Sequence, residues 1–121
     1  MKIEKINDSE VNIAVVSSDD VLITDTQSAL DLIMTVKYET GADRIAINKS
    51  AIAEEFFILS SGFAGEVLQR FINYHFKLGV YGDYSKYTSK PLHDFIYESN
   101  NGKDIFFMNS RESAVEKLLS V

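Results

Sequence analysis

Short runs of β-branched and aliphatic residues alternate along this chain with segments of helical periodicity. That alternation constrains the fold more than any other feature. Ile3 and Ile6 sit in a short first strand pattern, punctuated by Asp8-Ser9-Glu10. Val11–Val16 reads as a strand, Ser17–Asp20 as a polar turn, and Val21–Ile23 as the next strand. The short link between these two predicts an antiparallel hairpin. Asp25 or Thr26 can then cap a helix whose apolar positions are Ala29, Leu30, Ile33, Met34 and Val36. Gly41 stands where a left-handed helix stop belongs.

The second half repeats the alternation. Arg44–Asn48 is a strand, and Lys49–Ser61 can be read as helical turns or as a packed loop. Gly62 opens an amphipathic helix with Phe63, Val67, Leu68, Phe71 and Ile72 on one face. Lys77–Gly82 is strand-like, and Tyr84–Lys90 is a polar, aromatic loop. Pro91 suits the first position of a helix continued by Leu92, Phe95 and Ile96 and ended by Asn101-Gly102. Ile105–Met108 is a last strand. Asn109 or Ser110 caps a last helix buried through Ala114, Val115, Leu118 and Leu119, and Asn109 with Glu112 has capping-box spacing. Strands separated by helices predict parallel neighbours, so the expected sheet is mixed. A length of 121 residues suits one domain over residues 1–121.

Composition narrows the function. The charge sum is 12 − 18 = −6, and an acidic domain repels phosphate backbones, so no nucleic-acid partner is expected. The absence of cysteine excludes disulfides, thiolate metal sites and a cysteine nucleophile. The N-terminal residues carry no signal-peptide pattern, and no apolar run approaches the ~20 residues of a membrane span. A cytoplasmic protein with no membrane partner is the expectation. His75 and His93 lack metal-ligand spacing, and neither a dinucleotide fingerprint nor a Walker sequence occurs. No metal, no cofactor and no catalysis are expected.

Ile45-Ala46-Ile47-Asn48, a loop, then Leu59-Ser60-Ser61-Gly62-Phe63-Ala64-Gly65 resembles the core of STAS domains, the anti-sigma-factor antagonists and cytoplasmic domains of sulfate transporters. Across the whole chain the sequence more narrowly resembles a bacterial STAS-like family, domain of unknown function 4180. That match is carried by Gln27–Leu32, Ile47-Asn48-Lys49, Gly65–Gln69, Gly82–Tyr87 and Asp94–Asn100. The resemblance implies an α/β, single-domain STAS-like mixed sheet: an N-terminal antiparallel hairpin, then parallel strands, packed with about four helices. In the antagonists a serine of this loop is phosphorylated by a kinase that is also the partner. Ser61 matches the serine directly before the glycine and Ser60 the other, whereas the acidic residue that precedes them in the family is Leu59 here.

Two function classes follow. The first is a non-catalytic regulatory or protein-interaction module switched at Ser60-Ser61-Gly62, where a helix N-terminus favours phosphate or another anion. Its protein partner is unidentified, and an exposed apolar surface would also serve a homodimer. In the plainer structural reading Ser61 is simply an N-cap, and Gly65 permits close packing of helix on sheet. The second class is a binder of a small polar or anionic ligand. Ligands favour the carboxyl ends of parallel strands, which carry Asn48, Lys49, Asp83 and Asn109 here; the next loop adds Tyr84 and Lys86, and Lys49, Ser61, Asp83 and Lys86 are expected to face one cleft. Glu54 and Glu55 point to different sides of most elements, so a shared acid–base or metal site is not expected there.

Overall fold

A computed structural model describes residues 1–121. Five strands form one sheet in the order β1-β2-β3-β4-β5. They are β1 (Lys2–Asp8), β2 (Val11–Ser17), β3 (Arg44–Asn48), β4 (Lys77–Tyr81) and β5 (Ile105–Met108). β1 pairs antiparallel with β2, and every later pairing is parallel. Three helices lie between strands, α1 (Thr26–Thr40), α2 (Phe63–Asn73) and α3 (Lys90–Asn100), and α4 (Arg111–Ser120) follows β5. The expected α/β class and mixed sheet are therefore present. No helix is long and apolar enough to cross a membrane.

The hairpin is not the one expected. β1 and β2 form it, turning at Ser9-Glu10 with Ser9 at φ 55°. Val21–Ile23 is not a strand. It runs as an extended connector over the segment after β3, where the Leu22 and Ile23 amides donate to the Ala51 carbonyl and the Ala53 amide donates to that of Ile23. Ile23 is fully buried, so its apolar character serves the core rather than the sheet.

β2, β3, β4 and β5 are buried on both faces, whereas β1 is largely exposed, and the alternate residues of the inner strands feed two cores. Ala14, Val16, Ile45, Ile47, Leu78 and Val80 face α1, α2 and α3 in the larger one. Ile13, Val15, Ala46 and Phe106 face α4 through Ala114 and Leu118 in the smaller one. Gly79 allows that approach, since a Cβ there would lie 3.3 Å from a Leu118 methyl. The Arg44 guanidinium holds the end of α4 by donating to the carbonyls of Leu118 and Val121. Met34 and Ile72, expected on buried helix faces, are exposed, because the neighbouring turns already fill the core.

Helix ends follow local chemistry. Asp25 caps α1 in a capping box with Ser28, and Gly41 stops the helix at φ 71°. Ser89 caps α3, one residue earlier than Pro91 predicts, and Pro91 lies in its first turn. Ser110 caps α4 in a box with Ser113, displacing the Asn109–Glu112 pairing expected from spacing. At the outer edge of β5, the Asn100 side chain accepts from the Phe107 amide at 2.7 Å and donates to the Phe107 carbonyl at 3.1 Å.

Candidate functional site

The link between β3 and α2 is a chain of three short 3₁₀ turns: Lys49–Ala51, Glu54–Phe57 and Leu59–Ser61. Phe56 and Phe57 face inward from the middle turn and leave Glu54 and Glu55 exposed. The loop from β4 to α3 crosses beside this link. Its Tyr84 ring is wedged against Phe57 and Phe107, and its hydroxyl donates to the Val80 carbonyl at 2.7 Å. Burial, with a smaller effect of Tyr87, pushes that phenol far above its ordinary range. Tyr84 therefore anchors the loop and lines neither of the surface depressions described below.

Lys49 is the centre of the arrangement. Its side chain is only 13% exposed, and its ammonium lies 3.7 Å from the Glu54 carboxylate. It sits 4.9 Å from the Phe57 ring centroid and 4.8 Å from that of Tyr87, while the two rings stack 5.2 Å apart. A desolvated cation held on aromatic faces gains roughly 2 kcal/mol. The stem of Lys49 passes directly over Gly82, where a Cβ would lie 2.7 Å from the Lys49 Cβ. Gly82, not Gly65, is the glycine required by close approach here. Gly65 faces open space, contrary to the expectation that it lets α2 settle on the sheet.

Glu54 gathers the rest. Its Oε1 accepts from the Tyr87 hydroxyl at 2.6 Å and pairs with Lys86 at 2.8 Å. Partial burial pushes the Glu54 carboxyl up. The Lys86 and Tyr87 hydrogen bonds and the Lys49 and Lys86 charges outweigh that and hold it below its ordinary value of 4.5. Burial first, and then the Glu54 bond, raise the Tyr87 phenol. A carboxyl lowered by folding stabilises the native state above its unfolded pKa, and that contribution is lost as pH falls through the folded value. The stability difference between the wild type and Glu54→Gln is expected to stay level down to about pH 5 and to shrink at lower pH. Urea unfolding at several pH values checks this; a difference that does not change with pH would show that the Glu54 ion pairs contribute nothing.

Two depressions flank Lys49. The larger, about 540 Å³, is an open groove between Glu54–Ser60 and Lys86–Leu92. Phe57, Ile58, Leu59, Pro91 and Leu92 supply its apolar lining, and Ile58 stands 54% exposed at its edge. The second is polar and lined by Asn48, Lys49, Ser50, Tyr81, Gly82, Asp83 and Lys86. Asn48, Lys49, Asp83 and Lys86 thus meet at one cleft. Their polar groups are already engaged, however. The Asn48 amide holds Ser18 and Ser50, Asp83 accepts from the Ser85 amide, and both lysines pair with Glu54.

The serines fall elsewhere. Ser61 lines neither depression. Its hydroxyl donates to the Glu55 carbonyl and accepts from the Phe63 amide, while Gly62, at φ 78°, takes the position before the first residue of α2. Ser60 is exposed on the rim of the larger groove. His93 donates from Nε2 to the Tyr87 carbonyl at 2.5 Å, and no group of three or more potential metal-ligating side chains converges. Phe57 and Tyr87 escaped the sequence reading as partners of Lys49. Tyr87 carries a signal only as part of the polar, aromatic stretch Tyr84–Lys90.

A family model, Domain of unknown function (DUF4180), matches residues 8–118. No curated protein and no solved structure matches the chain.

Proposed function

The chain belongs to this DUF4180 family, and on that premise we propose that it is a non-catalytic regulatory module that docks a protein partner in the groove between Glu54–Ser60 and Lys86–Leu92. The observation that carries the reading is the groove itself: shallow, open, half apolar, and edged by the exposed Ile58. Exposed apolar surface bordered by polar groups is the signature of a protein contact. Ser60 on its rim supports control by charge. Phosphate there would add about −1.5 to −2 charge beside the docking surface. Ser60 suits this role better than Ser61, whose hydroxyl is held on both sides. The resemblance of Leu59–Gly65 to the STAS loop supports the same region, and the lack of cysteine is in keeping with action in the cytoplasm.

The polar cleft fits a small anion less well, because Glu54 already neutralises Lys49 and Lys86. A photocrosslinking residue placed at position 58, in the native host, tests the docking reading. A discrete crosslinked protein is expected. Its yield should fall about tenfold with Ser60→Asp, equivalent to ~1.4 kcal/mol of binding, and persist with Ser60→Ala. The absence of any crosslink, together with a thermal shift on adding small anionic metabolites, would move the function to the cleft at Lys49, Asp83 and Lys86.

A further inference from the structure

The two walls of the groove come from distant parts of the chain. No backbone hydrogen bond joins Glu54–Ser60 to Lys86–Leu92. What crosses between them is side-chain chemistry centred on one carboxylate. Glu54 takes the Tyr87 hydroxyl and the Lys86 ammonium, and the Tyr87 ring lies on Phe57. Behind this contact the loop is fixed at the half-buried Tyr84, whose ring packs on Phe107 and whose hydroxyl donates to the Val80 carbonyl. Ahead of it the loop is tied to α3, through His93 on the Tyr87 carbonyl and Ser89 on the Leu92 amide.

We propose that Lys86–Ser89 is a hinged strap that pivots at Tyr84, is latched to the opposite wall by Glu54, and widens the groove when the latch opens. Glu54 is 53% exposed, so a cation arriving in the groove can compete with Lys86 for it. Lys49 sits deeper and shares the same acid, so it holds the closed position from beneath through both rings. Opening trades the Tyr87 face and the Glu54 pairs for water and leaves the half-buried Tyr84 anchor in place. Two discrete arrangements of a short, surface-tied segment are the usual structural basis of a strap. The inference concerns the loop and stands whether or not a protein occupies the groove.

Hydrogen exchange read by mass spectrometry on the full chain tests it. The Tyr87 amide, bonded to the Tyr84 carbonyl, is the reporter. In Glu54→Gln its exchange is expected to quicken about tenfold, with the amides of β3 and β4 unchanged. Glu55→Gln, which removes a neighbouring carboxylate that makes no ion pair, should leave the strap as in the wild type. Trypsin cleavage after Lys86 should accelerate by a similar factor in Glu54→Gln alone. Unchanged exchange at Tyr87 in Glu54→Gln would overturn the latch. So would an equal acceleration in β3 and β4, which would mean general loosening. Crosslinking from position 58 reads docking separately, so failure of one reading leaves the other measurable.

Discussion

Phe56→Ala is expected to cost about 3–5 kcal/mol of unfolding free energy, the range for removing a large aromatic side chain from a closed core. Phe56 is fully buried, and its ring meets Phe57, Phe63 and Phe107 at centroid distances of 5.0, 6.4 and 6.2 Å. It joins the 3₁₀ link to α2 through Phe63 and to β5 through Phe107. The loss would consume a large share of the ~5–15 kcal/mol typical of a domain. In a chain of this size it should lower Tm by roughly 12–20 °C. Urea unfolding should show the shift in midpoint with the slope little changed. A loss below about 1 kcal/mol would mean that the surrounding rings collapse into the space, and that the link is not anchored by this residue.

Gly82→Ala is expected to cost about 1–3 kcal/mol although it adds a single methyl group. The added Cβ would lie 2.7 Å from the Lys49 Cβ, and neither atom can rotate away because both are fixed by their own backbones. Either the end of β4 or the start of the 3₁₀ link must move, and Lys49 must then leave its place against the stacked Phe57 and Tyr87 rings. Gly65→Ala is the control. That glycine is exposed on α2 with nothing within 4 Å, so alanine should be neutral or stabilising by about 0.5–1 kcal/mol. A double-mutant cycle isolates the clash. Lys49→Ala retains the offending Cβ and should not relieve Gly82→Ala, whereas Lys49→Gly should. Equal costs of Gly82→Ala in both backgrounds would place the strain elsewhere.

Much of the architecture was legible from residue order. Runs such as Arg44–Asn48 and Ile105–Met108 carried the parallel strands, and Asp25 and Gly41 marked the ends of α1, because caps and stops are local chemistry. Val21–Ile23 misled because a short apolar run looks the same in a strand and in a packed connector. What distinguishes them here is a hydrogen bond to Ala51, more than twenty residues away. The same limit applied to the site. The rule that the ends of parallel strands gather function placed Asn48, Lys49, Asp83 and Lys86 together. It also drew in Ser61, which the third 3₁₀ turn directs away from both depressions. Nothing in the spacing of Lys49, Glu54, Phe57 and Tyr87 announces a cation held against a stacked pair of rings, because two irregular loops create it.

The Asn100 amide occupies the hydrogen-bonding positions that a sixth strand would use beside β5. A strand arriving there must first evict it and leave Phe107 unpaired in the meantime. At the opposite boundary β1 offers an open edge of seven residues, Lys2–Asp8. Two copies pairing there about a two-fold axis in the fully overlapped register set Lys5 against Lys5 once and Lys2 against Asp8 twice. Sliding one step either way sets Glu4 against Glu4, or Glu4 against Asp8, and like charges directly opposed weaken a ladder. The sheet is thus closed by a side-chain amide at the β5 edge, whereas the β1 edge keeps its hydrogen-bonding row open. Growth of the sheet by a further strand is therefore directed to the β1 side, where the charges of Lys2, Glu4, Lys5 and Asp8 discriminate among registers.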